Sequence, residues 1–238
     1  MDKILHPAKS RGTANFGWLN ANYSFSFANY FNPDRLQFGL LRVLNDDFVA
    51  GGTGFGTHPH KDMEIITIPL KGAIKHKDSM NNSGTIKAGD VQVMSAGKGV
   101  QHSEMNANSD QELNLLQLWI FPDRQNVEPR YDQKNFEDKL KPNSFTNIVA
   151  PESDDPKEAL WIHQQAYLHL GEFEEGKNAA YTIRKPGHGV YVFMIEGEAK
   201  IGEDILKKRD AIGIWNTETI NFDLIQPSKI LVIEVPMN

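Results

Sequence analysis

Residues 65–97 read IITIPLKGAIKHKDSMNNSGTIKAGDVQVMSAG, and residues 190–218 read VYVFMIEGEAKIGEDILKKRDAIGIWNTE. Both stretches follow one plan. An apolar strand ends at Gly72 or Gly197, a second strand follows, then a polar turn and a short strand, and then Gly89-Asp90 or Arg209-Asp210 opens another apolar strand. Setting Gly197 against Gly72 gives an offset of 125, and Asp210 against Asp90 gives 120, so the second hairpin is five residues shorter. Self-similarity at this scale implies that one supersecondary unit occurs twice. The unit is made of strands. Each apolar run is short, rich in Val, Ile, Phe or Tyr, and bounded by turn formers, as in Glu64–Lys71, Asp90–Ser95, Leu113–Pro122, Val190–Glu196 and Ile230–Pro236. Helical periodicity is scarce, with room for a turn or two in Asn135–Lys141 and Asp155–Gln164. The fold class is therefore all-β, two copies of one small barrel in a single chain.

Outward from these stretches, Pro122 to about Pro156 is rich in Pro, Asn, Asp and Glu and reads as a linker with little core of its own. The expected organisation is a first unit over 1–130, a linker over 131–156 and a second unit over 157–238. A chain of 238 residues with 39% hydrophobic and 24% charged residues is long enough to bury cores of this size. Its net charge of −6 and the lack of a Lys/Arg cluster argue against a nucleic-acid partner. Lys207-Lys208-Arg209 reads as a solvated turn. With no cysteine, disulfides, thiolate ligands and cysteine nucleophiles are excluded. The opening MDKILHPAKSRG has no apolar stretch of signal-peptide length, and Leu113–Phe121 is too short and too broken by Asn114 and Gln117 to span a bilayer. A cytosolic location with no membrane partner is the expectation.

Two further stretches carry chemistry: GFGTHPHKDMEI at 54–65 and GKGVQHSEM at 97–105. Residues two apart on a strand share a face, so His58 projects with His60, and His102 with Glu104. Two such pairs aimed into one barrel supply three imidazoles and a carboxylate, a set suited to Fe, Mn, Co, Ni, Cu or Zn. Four protein ligands leave about two positions of an octahedral ion open. Asp62 and Glu64 share the parity of the two histidines, so Glu64 is an alternative ligand or a group that orients one. His76, flanked by Lys75 and Lys77, reads as a barrel-wall or surface residue, and His6, His163, His169 and His188 as structural. In the second copy the offsets put Ile183, Lys185, Phe222 and Leu224 opposite His58, His60, His102 and Glu104, so that barrel is expected to hold no metal.

At these residues the sequence resembles the cupin superfamily and, within it, the pirin family. Gly52-x5-His58-x-His60-x3-Glu64 fits the first general cupin motif, with one extra residue between Glu64 and Gly72. The second motif departs at Ser95, where proline is usual, while MSAGKGVQHSE at 94–104 looks like the pirin version. ANFGWLNANYSFSFANYFNP, THPHKDMEI, HKDSM and LQLWIFP are also pirin-like, so the resemblance covers nearly all of residues 8–135 and weakens beyond. It implies a bicupin, two double-stranded β-helix (jelly-roll) barrels, with one divalent metal, usually iron, held in the first by His58, His60, His102 and Glu104. In similar bacterial proteins the associated reaction is 2,3-dioxygenation of a flavonol such as quercetin. The implied partners are then a small aromatic substrate and O₂, with Glu104 taking the substrate's hydroxyl proton. Relatives are also associated with regulation through protein partners, the alternative from a different class. A monomer is expected, because two fused barrels satisfy within one chain the pairing that single cupins find by dimerising. Trp18, Phe25, Phe27 and Phe31 in the opening segment are candidates for the pocket wall.

Overall fold

The computed structural model describes residues 1–237. Each half is a seven-stranded sheet facing a four-stranded one, in matching order. In the first barrel the large sheet runs Arg130–Asn135, Asp90–Ser95, Glu64–Lys71, Leu113–Ile120, Leu41–Val49, Leu19–Tyr23, Gly12–Asn15. Its small sheet runs Gly54–His60, Val100–Asn106, Ala73–Asp78, Ser83–Lys87. In the second barrel the large sheet runs Asp2–His6, Ala211–Trp215, His188–Glu196, Ser228–Pro236, Tyr167–Phe173, Ser144–Pro151, Leu160–Ile162. Its small sheet runs Asn178–Thr182, Thr219–Leu224, Glu198–Ile201, Asp204–Lys207. The internal repeat of the sequence is thus a repeat of architecture.

The large sheets are apolar on both faces because both faces are covered. In Leu113–Ile120, Leu116, Leu118 and Ile120 enter a core shared with Leu168, Phe193 and Leu231 of the second barrel. The alternate residues Leu113 and Leu115 pack inside the first barrel. In Ser228–Pro236, Leu231, Ile233 and Val235 face the shared core while Ile230 and Val232 fill the second barrel. Period-two alternation of two apolar sets reads as an unbroken apolar run.

The expected linker is the main departure. Residues 131–156 are not poor in structure. Arg130–Asn135 pairs with Asp90–Ser95 at the edge of the first large sheet, and Ser144–Pro151 pairs with Tyr167–Phe173 inside the second. Phe136, Ile148 and Val149 are fully buried in the shared core. The N-terminal strand Asp2–His6, expected with the first unit, pairs with Ala211–Trp215 of the second. Each barrel thereby covers an otherwise open sheet edge with a strand from outside its own repeat. RYDQKN gives no sign of this, since the strand is half-exposed and polar throughout. Of the expected helical turns, the first reduces to a 3₁₀ turn at Glu137–Lys139; the second range holds none, with a 3₁₀ turn at Glu152–Asp154 just before it and Leu160–Ile162 a strand within it. Among the described residues no helix is long and apolar enough to cross a membrane.

Candidate metal centre

The strand Gly54–His60 lies antiparallel to Val100–Asn106, with His58 directly opposite His102 and His60 opposite Val100. A register shift after His102 then sets Glu104 against Phe55. Parity and register together converge three imidazoles. The ring centroids of His58 and His102 are 4.4 Å apart, those of His60 and His102 4.8 Å, and those of His58 and His60 4.9 Å. One nitrogen from each lies within 4.8 Å of the other two. Nε2 of His60 stands 2.9 Å from Nε2 of His102. Two nitrogens held about 2.1 Å from one ion at a right angle lie about 3 Å apart, so this spacing fits shared coordination. Nδ1 of His58 bonds the carbonyl of Gly56 at 2.7 Å, which leaves Nε2 with a free lone pair. Burial, and then the charge of His58, push His60 down to about 4. Burial, and then His58, His60 and His76, push His102 down to about 2. Neutral imidazoles are what a cation needs from this triad, so the residues fit a transition-metal ion.

Glu104 borders the same cavity but stands outside the set of three. Its Oε2 accepts from Nε2 of Gln117 at 2.8 Å and its Oε1 from Oγ1 of Thr67 at 3.3 Å. Complete burial raises its carboxyl above the usual range, against those hydrogen bonds. Glu64 is not brought to the centre. Asp62 turns through φ 46° between the strands ending at His60 and starting at Glu64, so the chain crosses to the large sheet and the shared parity is broken. There Glu64 accepts from Ser95 Oγ at 2.7 Å, and burial pushes it up to about 7. His76 is a wall residue, fully buried. It stacks on Tyr131 at 4.7 Å, sits 5.4 Å from the His102 ring, and has Nε2 3.2 Å from Asp78.

The cavity beside the imidazoles has a volume of about 250 Å³ and is lined by Tyr23, Phe27, Phe55 and Trp119 with the polar Asn45, Asp47, Glu104 and Gln117. Trp119 packs edge-on to His60 at 5.0 Å. Burial, then the neighbouring Asp46 and Glu104, push Asp47 up to about 8, well above the usual carboxylate range. Of the four expected wall aromatics, Phe27 lines the cavity and Trp18 packs behind it on Phe55. Phe25 belongs to the shared core, and Phe31 is 73% exposed. The sequence does not single out Gln117, Asp47 or Asn45. Their signal is a polar residue at alternate positions of an otherwise apolar strand, which in Leu113–Phe121 reads only as an interruption.

Strand pairing also corrects the residues of the second barrel that face the repeat of this site. Leu224 pairs with Ala199 as Asn106 pairs with Ile74, so Phe222 stands at the position of Glu104 and Ile220 at that of His102. Tyr181, opposite Ile220, takes the place of His58. The difference of two residues arises because the connection from Asp210 to Ile220 is two residues shorter than the one from Asp90 to His102, beyond the five already lost in the hairpin.

Residues 5–120 match the family model for pirin, and residues 148–235 that for the quercetinase C-terminal cupin domain. The chain is 37% identical to quercetin 2,3-dioxygenase of Escherichia coli K12 over 232 residues, 98% of either chain. The chain belongs to the pirin family. A pirin-like protein of Caulobacter vibrioides is 36% identical, covering 96% of this chain and 97% of its own. Among solved structures, bacterial pirin YhhW from Escherichia coli in complex with nickel(II) superposes with a TM-score of 0.93 at 36% identity, over 99% of both chains. The family models and the structural match confirm the two-cupin architecture that the resemblance implied.

Proposed function

We propose that this pirin is a metal-dependent dioxygenase of the quercetin 2,3-dioxygenase type, with one transition-metal ion, foremost iron, on His58, His60, His102 and Glu104. The observation that carries the reading is the convergence of three imidazoles at the mouth of an aromatic-lined cavity. The nickel-bound relative supports the metal and the named dioxygenase of Escherichia coli supports the reaction. When bound, such an ion supplies Lewis acidity toward a substrate oxygen and open positions for further ligands. The residues do the rest. Phe27, Phe55 and Trp119 receive the planar flavonol and exclude water. Glu104, oriented by Gln117 and Thr67, accepts the proton of the 3-hydroxyl group. A shallower groove of about 650 Å³, lined by Lys61, Lys98 and Gln101, shares Pro59 and His60 with the cavity and gives the rest of the substrate room. Dioxygen is the oxidant, and ring opening releases one carbon as carbon monoxide. Protein reconstituted with iron, nickel, cobalt, copper, manganese or zinc is expected to consume O₂ with quercetin. Failure with every metal, together with unchanged behaviour of His58→Ala, defeats the proposal.

A further inference from the structure

The two barrels make the same turn with different residues. In the first, Lys87-Ala88-Gly89-Asp90 closes with the Lys87 amide donating to Asp90 Oδ2 at 3.0 Å, and Gly89 sits at φ 93°. In the second, Lys207-Lys208-Arg209-Asp210 closes with the Lys207 amide on Asp210 Oδ2 at 2.9 Å, and Arg209 holds φ 68°. The left-handed region suits glycine and strains an arginine. Nothing in the turn asks for a side chain there, so the reason lies where that side chain goes.

It is not solvated, as the sequence suggested. The guanidinium is only 11% exposed and reaches across to the first barrel. Nη2 donates to Asn114 Oδ1 at 3.0 Å, and Asn114 in turn donates to Asp46 Oδ1 at 2.9 Å. Nη1 stands 3.6 Å from Asp46 Oδ1, outside hydrogen-bonding range, and is buried with no acceptor among the described residues. Arg11, itself 7% exposed, donates to the other oxygen of the same carboxylate at 3.2 Å. Two buried guanidinium groups thus share one buried carboxylate, and Arg209 meets its carboxylate neighbours, Asp46 at 3.6 Å and Glu196 at 3.8 Å, only beyond hydrogen-bonding range, so Nη1 keeps an unfilled donor position, which is costly unless something else completes it.

These groups form one wall of a cavity of about 530 Å³ between the barrels. Lys71 lines it without an ion-pair partner among the described residues, while Lys208 and Lys229 at its rim pair with Glu196 and Glu172. Glu112 and Glu196 also reach the cavity, yet the lining still has more cations than carboxylates in a chain of net charge −6. We propose that this cleft binds a small oxyanion of the phosphate type, taken by Arg209 Nη1, Arg11 and Lys71. Arginine's fork matches such an oxyanion, and the unpaired Nη1 supplies the missing donor position.

The probe is inorganic phosphate, titrated calorimetrically and by thermal shift against sodium chloride of equal ionic strength. Wild-type protein is expected to bind one phosphate and gain melting temperature beyond the chloride control. Arg209→Gly, which relaxes the turn, should keep its melting temperature in chloride and bind phosphate at least about tenfold more weakly, the loss of one charge-assisted hydrogen bond. Lys71→Ala should weaken binding to a smaller extent. His102→Ala should bind phosphate as wild type does, which separates this cleft from the imidazole centre and from the proposed reaction. The proposal is overturned if phosphate acts no differently from chloride, if Arg209→Gly binds it unchanged, or if His102→Ala abolishes binding.

Discussion

The two barrels share their strand order and differ in what fills them. Where the first sets His58 against His102, the second sets Tyr181 against Ile220, and Glu104 is answered by Phe222. The second interior is closed by Tyr181, Ile220, Phe222 and Leu224 with Val190, Val192 and Val232, which together form an apolar core. Its polar groups sit to one side as a satisfied chain. Glu234, fully buried, accepts from Tyr181 Oη at 2.7 Å, from His188 Nδ1 at 2.9 Å and from the Arg184 amide at 3.0 Å, while Arg184 donates to His169 Nε2 at 3.2 Å. The first barrel leaves buried Oδ1 atoms of Asn45 and Asp47 and Nδ1 of His102 without partners among the described residues. One fold, satisfied, is a support; with polar groups left open it is a site.

The largest expected contrast is in metal content. His102→Ala should lower metal affinity by more than about a hundredfold, beyond the loss typical of an outer partner, whereas Ile220→Ala at the matching position should leave it unchanged. Elemental analysis of both variants decides it, and equal metal content would erase the distinction between the barrels. In stability the order reverses. Phe222→Ala should cost about 3–5 kcal/mol by urea unfolding, because the second barrel rests on packing. A loss below about 1 kcal/mol would show that this interior is not the tightly packed one.

A smaller effect sharpens the comparison through pH. Burial, and then the neighbouring Arg184, hold His169 down to about 3, far below the ordinary value of 6.5. The folded state keeps this imidazole neutral while the unfolded chain takes up a proton, so stability is lost as pH falls from about 6.5 toward 3. At pH 5 the loss relative to pH 7.5 is about 2 kcal/mol, and His169→Gln should show that much less acid sensitivity in urea unfolding. The smallest test sits at the paired turns. Gly89→Ala should cost about 1 kcal/mol, since φ 93° disfavours any side chain there. A neutral result would weaken the argument that Arg209 is strained.

Much of the site is legible in the sequence. The i, i+2 spacing of His58 and His60, and of His102 and Glu104, needs only the alternation of a strand, and the three imidazoles do meet. Glu64 shows the limit, because alternation holds only while the strand continues and a single left-handed residue at Asp62 ends it. Gln117 and Asp47 stay hidden because they lie well away from the ligand motifs in the chain, Gln117 by 13 residues from Glu104, and reach the cavity only through sheet pairing. The strands Asp2–His6 and Arg130–Asn135 stay hidden for a related reason. Edge strands are exposed or half-exposed, and polar ones resemble loops.

From the amino-acid order alone come the all-β unit with its repeat and the paired histidines, since each is read from the pattern of short strands and the alternation within them. Which sheet each terminal strand completes, where Glu64 and Gln117 end up, and the reach of Arg209 from one barrel onto Asp46 of the other are decided by tertiary structure. Those relations join residues far apart in the chain, and only packing brings them into the range where hydrogen bonds and charges act.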